Sequence, residues 1–555
     1  MVGGENILAS LFLLKDKRKT VPCLLRILLF GGLGVLFGTS AVAKWSVEPS
    51  LKTGVSLSDN AGLVSDNGLP AFGKRRHDII SEVTPGLWLK GAGSRYRLNA
   101  VYRMQNLFYA QQKQYDVTNN QLEAVGDGEI FRDHLFFDAE VYNYQNPLYA
   151  YPGIPADYYL PGNRADITTL KLSPYFRKDF GNTARMVMRY TYEQIQVEKR
   201  ASDGITRRFN FRMANKRWGR DAWNIRYKKE RLERGGFFLL DHETAEGNFR
   251  YRFGRRFSLL ARAGSENHNL GASTTWTRQY ENGNYWAGGV GLRIRRTLRL
   301  DTLYGDHFKM IRTTWNPSRR ADFELSWRDR DYGMNPGESW RGEFSVRFRR
   351  SVWLTSYQEM VVSQQQALSD RGIYSFRNPD TGEYLPGEID PDTEQLTPVY
   401  FDPDTGERID YPDAGNLTTL VLNDFGLFDE TYLRRRGQSV YGWQTGEDAV
   451  TALLFYERRN YLEQGDSEQS YGFYGSWKRR LTPVTELLSG GNYQHRIYRF
   501  TRFKGTAWSV DAGLLWELSH NTSASCLYRY IDRYAYSRKN RYHENRITCY
   551  LKLSM

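Results

Sequence analysis

The sequence has little cysteine, no long hydrophobic run beyond its first residues and no familiar catalytic motif. Three cysteines in 555 residues exclude a disulfide-stapled scaffold. No run of about 20 apolar residues follows the N-terminal region, which excludes a helical membrane protein. The motifs G-x-S-x-G, H-E-x-x-H, C-x-x-C, the Walker loop and the Rossmann fingerprint are missing as well. We therefore expect neither an enzyme nor a bound cofactor.

Aromatic, glycine and charged residues are abundant instead. Aromatics make up 15% of the chain, charged residues make up 25%, and there are 50 glycines. So many aromatics argue against disorder. The mean hydropathy is nevertheless only −0.63. Polar and apolar residues that alternate along transmembrane strands give this combination, so the composition favours a transmembrane β-barrel.

The N-terminal region predicts export. Residues 1–43 contain a basic stretch, an apolar stretch and the small-residue site Ala41-Val42-Ala43, as in a cleaved signal peptide. An uncleaved anchor helix is the alternative. Cleavage removes five basic and two acidic residues, so the net charge falls from +14 to +11 and the mature chain begins at Lys44. The arginines are spread over the whole chain, so we expect no nucleic-acid partner.

Alternation with period two dominates the mature chain. Around residue 340, Trp340 and Phe344 fall on one face, while Arg341 and Glu343 fall on the other. The alternating segments are 11–16 residues long and are joined in turn by short basic turns and longer polar loops. This pattern predicts an all-β fold, an antiparallel transmembrane barrel of about 20–24 strands over residues 44–555, with the long loops outside the cell.

The polar face of these segments supplies the candidate pore-lining residues. Arginines in a pore favour anions, because guanidinium groups bind carboxylate, phosphate and sulfate. The alternative is that arginines and acids neutralise one another across strands and only hydrate the lumen. The candidates are Arg97, Arg103, Arg185, Arg189, Arg250, Arg252, Arg293, Arg341, Arg347, Arg349, Glu246, Glu324, Glu343 and Glu517.

An acidic insertion at 366–425 interrupts the alternation. It carries nine Asp, four Glu and three Arg, a net charge of −10, and repeats the motif D/N-P-D-T at steps of 12 residues. Such residues form tight turns, so small hairpins are one interpretation. A weak calcium site at Asp380, Asp392 and Asp404 is another. We expect the insertion on the extracellular side, with the hypothesis that it folds inward against the arginine-rich inner face and constricts or gates the lumen.

Two cysteines remain in the mature chain. Cys526 and Cys549 lie on consecutive predicted strands, and both fall on the apolar face. They are either two small lipid-facing residues or a cross-strand disulfide formed in an oxidising compartment.

Several stretches of the mature chain carry a family resemblance: WSVEPSLKTGVSLSDN (45–60), EVTPGLW (82–88), GSRYRLNAVY (93–102), NLFY (106–109), LSPYF (172–176) and RDRDYG (328–333). On these the chain resembles the outer-membrane β-barrel proteins associated with the PEP-CTERM and exopolysaccharide system. The resemblance implies the outer membrane of a Gram-negative bacterium and a link to polysaccharide export, but no catalytic residues.

The function predicted from the sequence is therefore an outer-membrane pore or conduit. Its expected partners are outer-membrane lipid, an anionic polysaccharide and periplasmic export machinery. Three alternatives stay open. The first is an outer-membrane enzyme, which would need a convergent set of Ser, His and acidic residues that the sequence does not show. The others are a non-conducting structural or adhesive barrel whose loops bind a partner, and a sheath for a periplasmic electron carrier.

Overall fold

The structure of the chain is a computed structural model that describes most of residues 44–554. The predicted signal peptide, residues 1–43, lies outside the described residues. No helix in the described part is long and apolar enough to cross a bilayer. The segments left out after residue 44 are 64–76, 148–163, 199–202, 217–218, 235–237, 270–280, 364–365, 367–374, 378–383, 390–395, 402–407, 410–417, 420–430, 463–464, 500–503 and 536–540.

Twenty-four strands form one antiparallel sheet that closes on itself. The first seventeen are β1 (Lys44–Ser58), β2 (Asp78–Ala92), β3 (Tyr96–Tyr109), β4 (Val117–Phe131), β5 (Leu135–Pro147), β6 (Arg164–Phe180), β7 (Ala184–Val197), β8 (Gly204–Asn215), β9 (Asp221–Arg234), β10 (Phe238–Phe253), β11 (Phe257–His268), β12 (Gly283–Arg293), β13 (Leu298–Asp306), β14 (Phe308–Ser318), β15 (Ala321–Arg330), β16 (Gly337–Arg347) and β17 (Ser351–Ser363).

Six short strands and seven further barrel strands follow. The insertion contains β18 (Ser375–Arg377), β19 (Tyr384–Ile389), β20 (Leu396–Pro398), β21 (Tyr400–Phe401), β22 (Arg408–Ile409) and β23 (Thr418–Thr419). The barrel is completed by β24 (Thr431–Gln444), β25 (Asp448–Tyr461), β26 (Ser467–Thr482), β27 (Thr485–Ile497), β28 (Lys504–Ser519), β29 (Thr522–Ala535) and β30 (Tyr542–Ser554).

Each barrel strand pairs with the next along the chain, β17 pairs with β24, and β30 pairs with β1. The predicted all-β antiparallel barrel is therefore confirmed, with a strand count at the upper limit of the prediction. Short connections lie at one end of the barrel, which we call the turn end, together with Lys44 and Ser554. Longer connections lie at the other, the loop end. Two connections at the loop end are short as well: residues 235–237 join β9 to β10, and the single residue His307, with φ of +56°, joins β13 to β14.

The outward face carries a band of large apolar side chains. On β10 the band covers Phe249, Tyr251 and Phe253, which are all exposed, and it extends up to Ala245. About nine residues separate Ala245 from Phe253, close to the length that a tilted strand needs to cross a bilayer. Ion pairs on the outward face mark the boundary of the band nearer the loop end, which we call its upper boundary. They are Lys229 with Glu243 at 3.2 Å and Lys309 with Asp329 at 3.1 Å.

The barrel bends sharply at β13. Inward side chains from strands three or four positions apart meet there: Arg250 of β10 donates to Asp301 of β13 at 2.6 Å, and Arg330 of β15 to Glu266 of β11 at 2.6 Å. The bend needs glycine, because a Cβ at Gly289 or Gly305 would overlap the facing backbone between β12 and β13.

A second bend lies twelve strands away, at β1. The hydroxyl of Tyr550 on β30 donates to Glu82 on β2 at 3.1 Å, across the intervening strand. The Tyr550 ring lies directly over Gly54 of β1, where any Cβ would overlap it. Across the lumen, Arg262 of β11 contacts Met310 of β14 at 3.4 Å, and Glu230 of β9 accepts a hydrogen bond from Gln366 just after β17, so β9–β11 lie opposite β14–β17.

Candidate functional site

The inward face carries the predicted pore-lining residues. Paired residues share a face, so the register assigns one face to all strands around the ring. Arg349 is the exception, since it lies in the turn after β16 and is exposed. The residues on the inward face are Arg97, Arg103, Arg185, Arg189, Arg250, Arg252, Arg293, Arg341, Arg347, Glu246, Glu324, Glu343 and Glu517.

Many of these charges are held in ion pairs. The acids involved lie on the same strand, on a neighbouring strand or, in the case of Asp138, two strands away, and several of them were not among the predicted residues. The pairs are Arg97–Asp127 at 3.1 Å, Arg185–Asp179 at 2.8 Å, Arg189–Asp138 at 2.6 Å, Arg341–Glu343 at 2.6 Å, Arg312–Glu324 at 3.4 Å and Arg262–Glu246. This arrangement favours the interpretation that opposite charges neutralise one another along the wall.

Aromatic rings on the inward face are covered by cations. Phe136 and Tyr175 stack with their centroids 4.9 Å apart. The guanidinium carbon of Arg177 lies 4.4 Å from the centroid of the Phe136 ring, and that of Arg189 lies 4.2 Å from that of Tyr175. Cation–π contacts therefore occupy the outer faces of this stack, which leaves little ring surface for a sugar.

A buried charged region that was not predicted from the sequence lies on the inward face of β24–β30, near the loop end. Two of its carboxylates are Glu457, 2.6 Å from Arg459, and Glu468, 3.3 Å from Arg496. Runs of consecutive arginines such as 434–436 conceal the alternation of polar and apolar residues in the sequence, because adjacent side chains of a strand point to opposite faces. The arginines of this region, which we call the basic wall, are Arg434, Arg436, Arg459, Arg496, Arg529, Arg533 and Arg546.

The insertion enters the lumen from the loop end. Its first described residue, Gln366, follows β17 and donates to Glu230 of β9 at 2.8 Å, so it joins the two facing walls. Further along, Pro386 of β19 lies against Gly442 of β24. The backbone N–H of Phe401 donates to the side-chain oxygen of Gln444 at 2.8 Å. Gln444 ends β24 at the turn end, so the insertion reaches through most of the lumen.

An apolar patch on the inward face explains where the insertion docks. Val440, Leu453, Phe455 and Tyr474 form one cluster, which we call the inner patch. Val440 and Leu453 are 0% exposed although they face the lumen. Strand β19 contacts both β24 and β25, the strands that carry these residues. Strand β19 therefore lies beside the part of the wall that carries the inner patch, where burial of apolar surface stabilises a docked segment.

The described part of the insertion lies inside the lumen. Its apolar residues Leu385, Val399 and Tyr400 are buried, and Pro386 and Phe401 contact β24. The three motif copies stand between antiparallel partners: β18 and β19, β19 and β20, β21 and β22. Asp380, Asp392 and Asp404 themselves lie outside the described residues. Across the described ranges, no group of three or more His, Cys, Asp or Glu could hold a metal ion.

Cys526 and Cys549 form a disulfide bond in the last hairpin. They are direct partners in the register of β29 and β30. Both lie on the outward face, as their neighbours Tyr528 and Ile547 do.

Arg330 offers a direct test of the bend at β13. The Arg330→Met variant should leave the buried carboxylate of Glu266 without its cation, retaining only the backbone N–H of Met334 at 2.9 Å and His242 at 3.1 Å. Removing one partner of a buried pair costs about 3 kcal/mol or more. We expect a correspondingly lower urea midpoint for the refolded barrel. Arg341→Met is the matched control, because its exposed pair contributes at most about 1 kcal/mol. Equal midpoints for the two variants would contradict the role assigned to Arg330.

Comparison with known proteins gives structural likeness only. No protein-family model matches the chain, and no curated protein matches it. Among solved structures it is similar to the siderophore receptor PirA from Pseudomonas aeruginosa, with 8% identity over 92% of this chain and 80% of that chain and a TM-score of 0.40. It is also similar to the FrpB iron transporter from Neisseria meningitidis, with 9% identity, 92% and 81% coverage and a TM-score of 0.42. It is similar, too, to OmpT, an outer membrane protein of Vibrio cholerae, with 6% identity over 61% of this chain and 99% of that chain and a TM-score of 0.24.

Proposed function

We propose that the protein is a conduit across the outer membrane of a Gram-negative bacterium, closed at rest by its own insertion. The observation that carries this proposal is the position of β19 beside β24 and β25, the strands that carry the inner patch, with Pro386 against Gly442 and Phe401 bonded to Gln444. A large barrel either conducts or is plugged. Here the occupant is a segment of the same chain, joined to the barrel only at its two ends, so it can leave the lumen without unfolding the wall.

The outward face supports the membrane location. Its apolar band is rich in Trp and Tyr, and ion pairs such as Lys229–Glu243 begin where the band ends. The band, its aromatic residues and the alternation with a polar interior are those of transmembrane barrels. In transmembrane barrels of this kind the long loops are extracellular and the short turns are periplasmic. We therefore assign the loop end to the cell exterior and the turn end to the periplasm.

The charge distribution supports an anionic polymer as cargo. The insertion carries a net charge of −10, and it occupies a lumen whose basic wall is rich in arginine. A lumen that attracts this acidic segment also attracts an acidic polymer. We therefore infer that an anionic polysaccharide, delivered at the turn end by periplasmic export machinery, is the cargo. The proposal assigns no catalytic role to any residue.

Single-channel recording of the mature chain (44–555) in planar bilayers tests the proposal. We expect a low resting conductance with rare large openings, and we expect those openings to select anions. A soluble acidic polysaccharide added at the turn-end side should block or prolong them, whereas a neutral polysaccharide of the same length should do neither. A steady, wide, unselective conductance would contradict the resident plug. Complete silence both with and without the insertion would instead favour a structural or adhesive barrel.

A further inference from the structure

Two pairs of arginines face outward at the upper boundary of the apolar band. Arg207 of β8 stands directly opposite Arg231 of β9, and Arg435 of β24 stands directly opposite Arg458 of β25. Like charges directly opposite one another destabilise an antiparallel pair of strands. Each pair therefore needs an anion close to both guanidinium groups.

The first pair has its anion within the protein. Glu233 accepts a hydrogen bond from Arg207 at 2.6 Å and lies 3.4 Å from the Nε atom of Arg231. One carboxylate thus bridges the two arginines. This pair shows what the geometry requires: an oxyanion between the two side chains, on the outward face.

The second pair lacks such a bridge. The Nε atom of Arg435 is 3.4 Å from Glu359, whose carboxylate also accepts a hydrogen bond from the Tyr357 hydroxyl at 2.6 Å. Arg458 donates to the amide oxygen of Asn460 at 3.1 Å. Among the residues that the structure describes, no carboxylate lies within ion-pair distance of Arg458. The one carboxylate near this pair, Glu359, is on β17, on the side of Arg435 that faces away from Arg458, and it contacts only Arg435. The region between the two guanidinium groups therefore has no carboxylate among the described residues.

An apolar surface lies next to this pair, on its membrane side. On the outward face, Leu454 is 55% exposed, and Tyr441 and Phe473 are exposed too. Gly437 follows Arg435 on the same face, and its missing side chain leaves a recess beside Tyr357. A ligand at the arginine pair would thus have its polar part among guanidinium groups and any acyl chain against this surface.

We propose that Arg435 and Arg458 bind the phosphate group of a membrane lipid in the outer leaflet. Arginine binds phosphate oxygens in a bidentate manner, so one phosphate can contact both side chains as Glu233 does in the first pair. A lipid can contact both the arginine pair, through its phosphate, and the adjacent apolar surface, through its acyl chain. A free phosphate ion can contact only the arginine pair. The inference rests on the proposed membrane location, but it does not depend on the insertion or on conduction.

Native mass spectrometry of the full mature chain released from lipid nanodiscs tests the inference. The nanodiscs contain phosphatidylcholine with phosphatidic acid as the minor component. Wild type should retain phosphatidic acid, and the double variant Arg435→Gln/Arg458→Gln should retain it about tenfold less, as expected for the loss of charge-assisted contacts. The control Arg207→Gln/Arg231→Gln should match wild type, because Glu233 already occupies that pair.

Three results separate the possible failures. Equal retention by wild type and the Arg435/Arg458 variant would overturn the inference. Displacement of the lipid by inorganic phosphate at the same concentration would also overturn it, because the ligand would then be a free anion. A chain that does not insert into nanodiscs at all would instead refute the membrane location on which the inference rests.

Discussion

Removing residues 370–413 is expected to change a barrel that rarely opens into one that conducts steadily. The deletion takes away β18–β22, including the strand that covers the inner patch, and leaves both ends of the insertion to join β17 to β24. It also removes a net charge of −9 from the lumen. Selectivity should therefore shift further towards anions, since arginine-lined pores favour them.

The measurement compares single-channel conductance of the deletion variant and wild type, refolded side by side. As a control that both chains form folded barrels, the migration of heated and unheated samples is compared on SDS gels. A second control replaces 370–413 with a glycine–serine linker of equal length, which keeps the connection but removes the docking strand. An unchanged conductance in the deletion variant would show that the insertion does not close the lumen.

A single substitution in the inner patch should have the second-largest effect. Leu453→Asp places a carboxylate in a contact that is fully buried and that faces an acidic insertion. An unpaired buried charge costs about 3 kcal/mol or more. We therefore expect the ratio of undocked to docked insertion to rise by about a hundredfold. The barrel should survive, because an undocked patch faces a watery lumen.

Open probability in planar bilayers and limited proteolysis of the insertion both report this change. The matched control is Leu453→Met, which conserves volume and costs less than about 1.5 kcal/mol. It should behave as wild type does. If Leu453→Asp stays as closed and as protease-resistant as Leu453→Met, then the inner patch does not hold the insertion.

The faces of the strands could be predicted from sequence because each face has one uniform environment. Trp340 and Phe344 alternate with Arg341 and Glu343, and the register places them on opposite sides of the wall as predicted. Consecutive arginines carry no such signal. In the pair Arg458–Arg459, one side chain faces the membrane and the other is buried in the lumen, and only the pairing of β24 with β25 assigns them.

The place on the wall where the insertion docks could not be predicted for a different reason. The local sequence of the insertion shows turns and acids, which are typical of an exposed loop. The residues that decide its place, Leu385 and Val399, contribute only through burial inside the barrel, where β19 meets the distant patch of Val440 and Leu453. The bend at β13 left a partial signal, because glycine inside a strand indicates close approach of another backbone. The glycines alone do not show which strand approaches them.

The disulfide on the outward face has a consequence for the order of biogenesis. Once the barrel is in a bilayer, Cys526 and Cys549 are surrounded by hydrocarbon, where soluble thiol oxidases cannot reach them. With the outer-membrane location proposed above, their bond forms while the β29–β30 hairpin is still in the aqueous periplasm. The hairpin then arrives with its register already fixed. The last step left to membrane insertion is the seam with β1, which is formed only by residues 50–58 and 546–554.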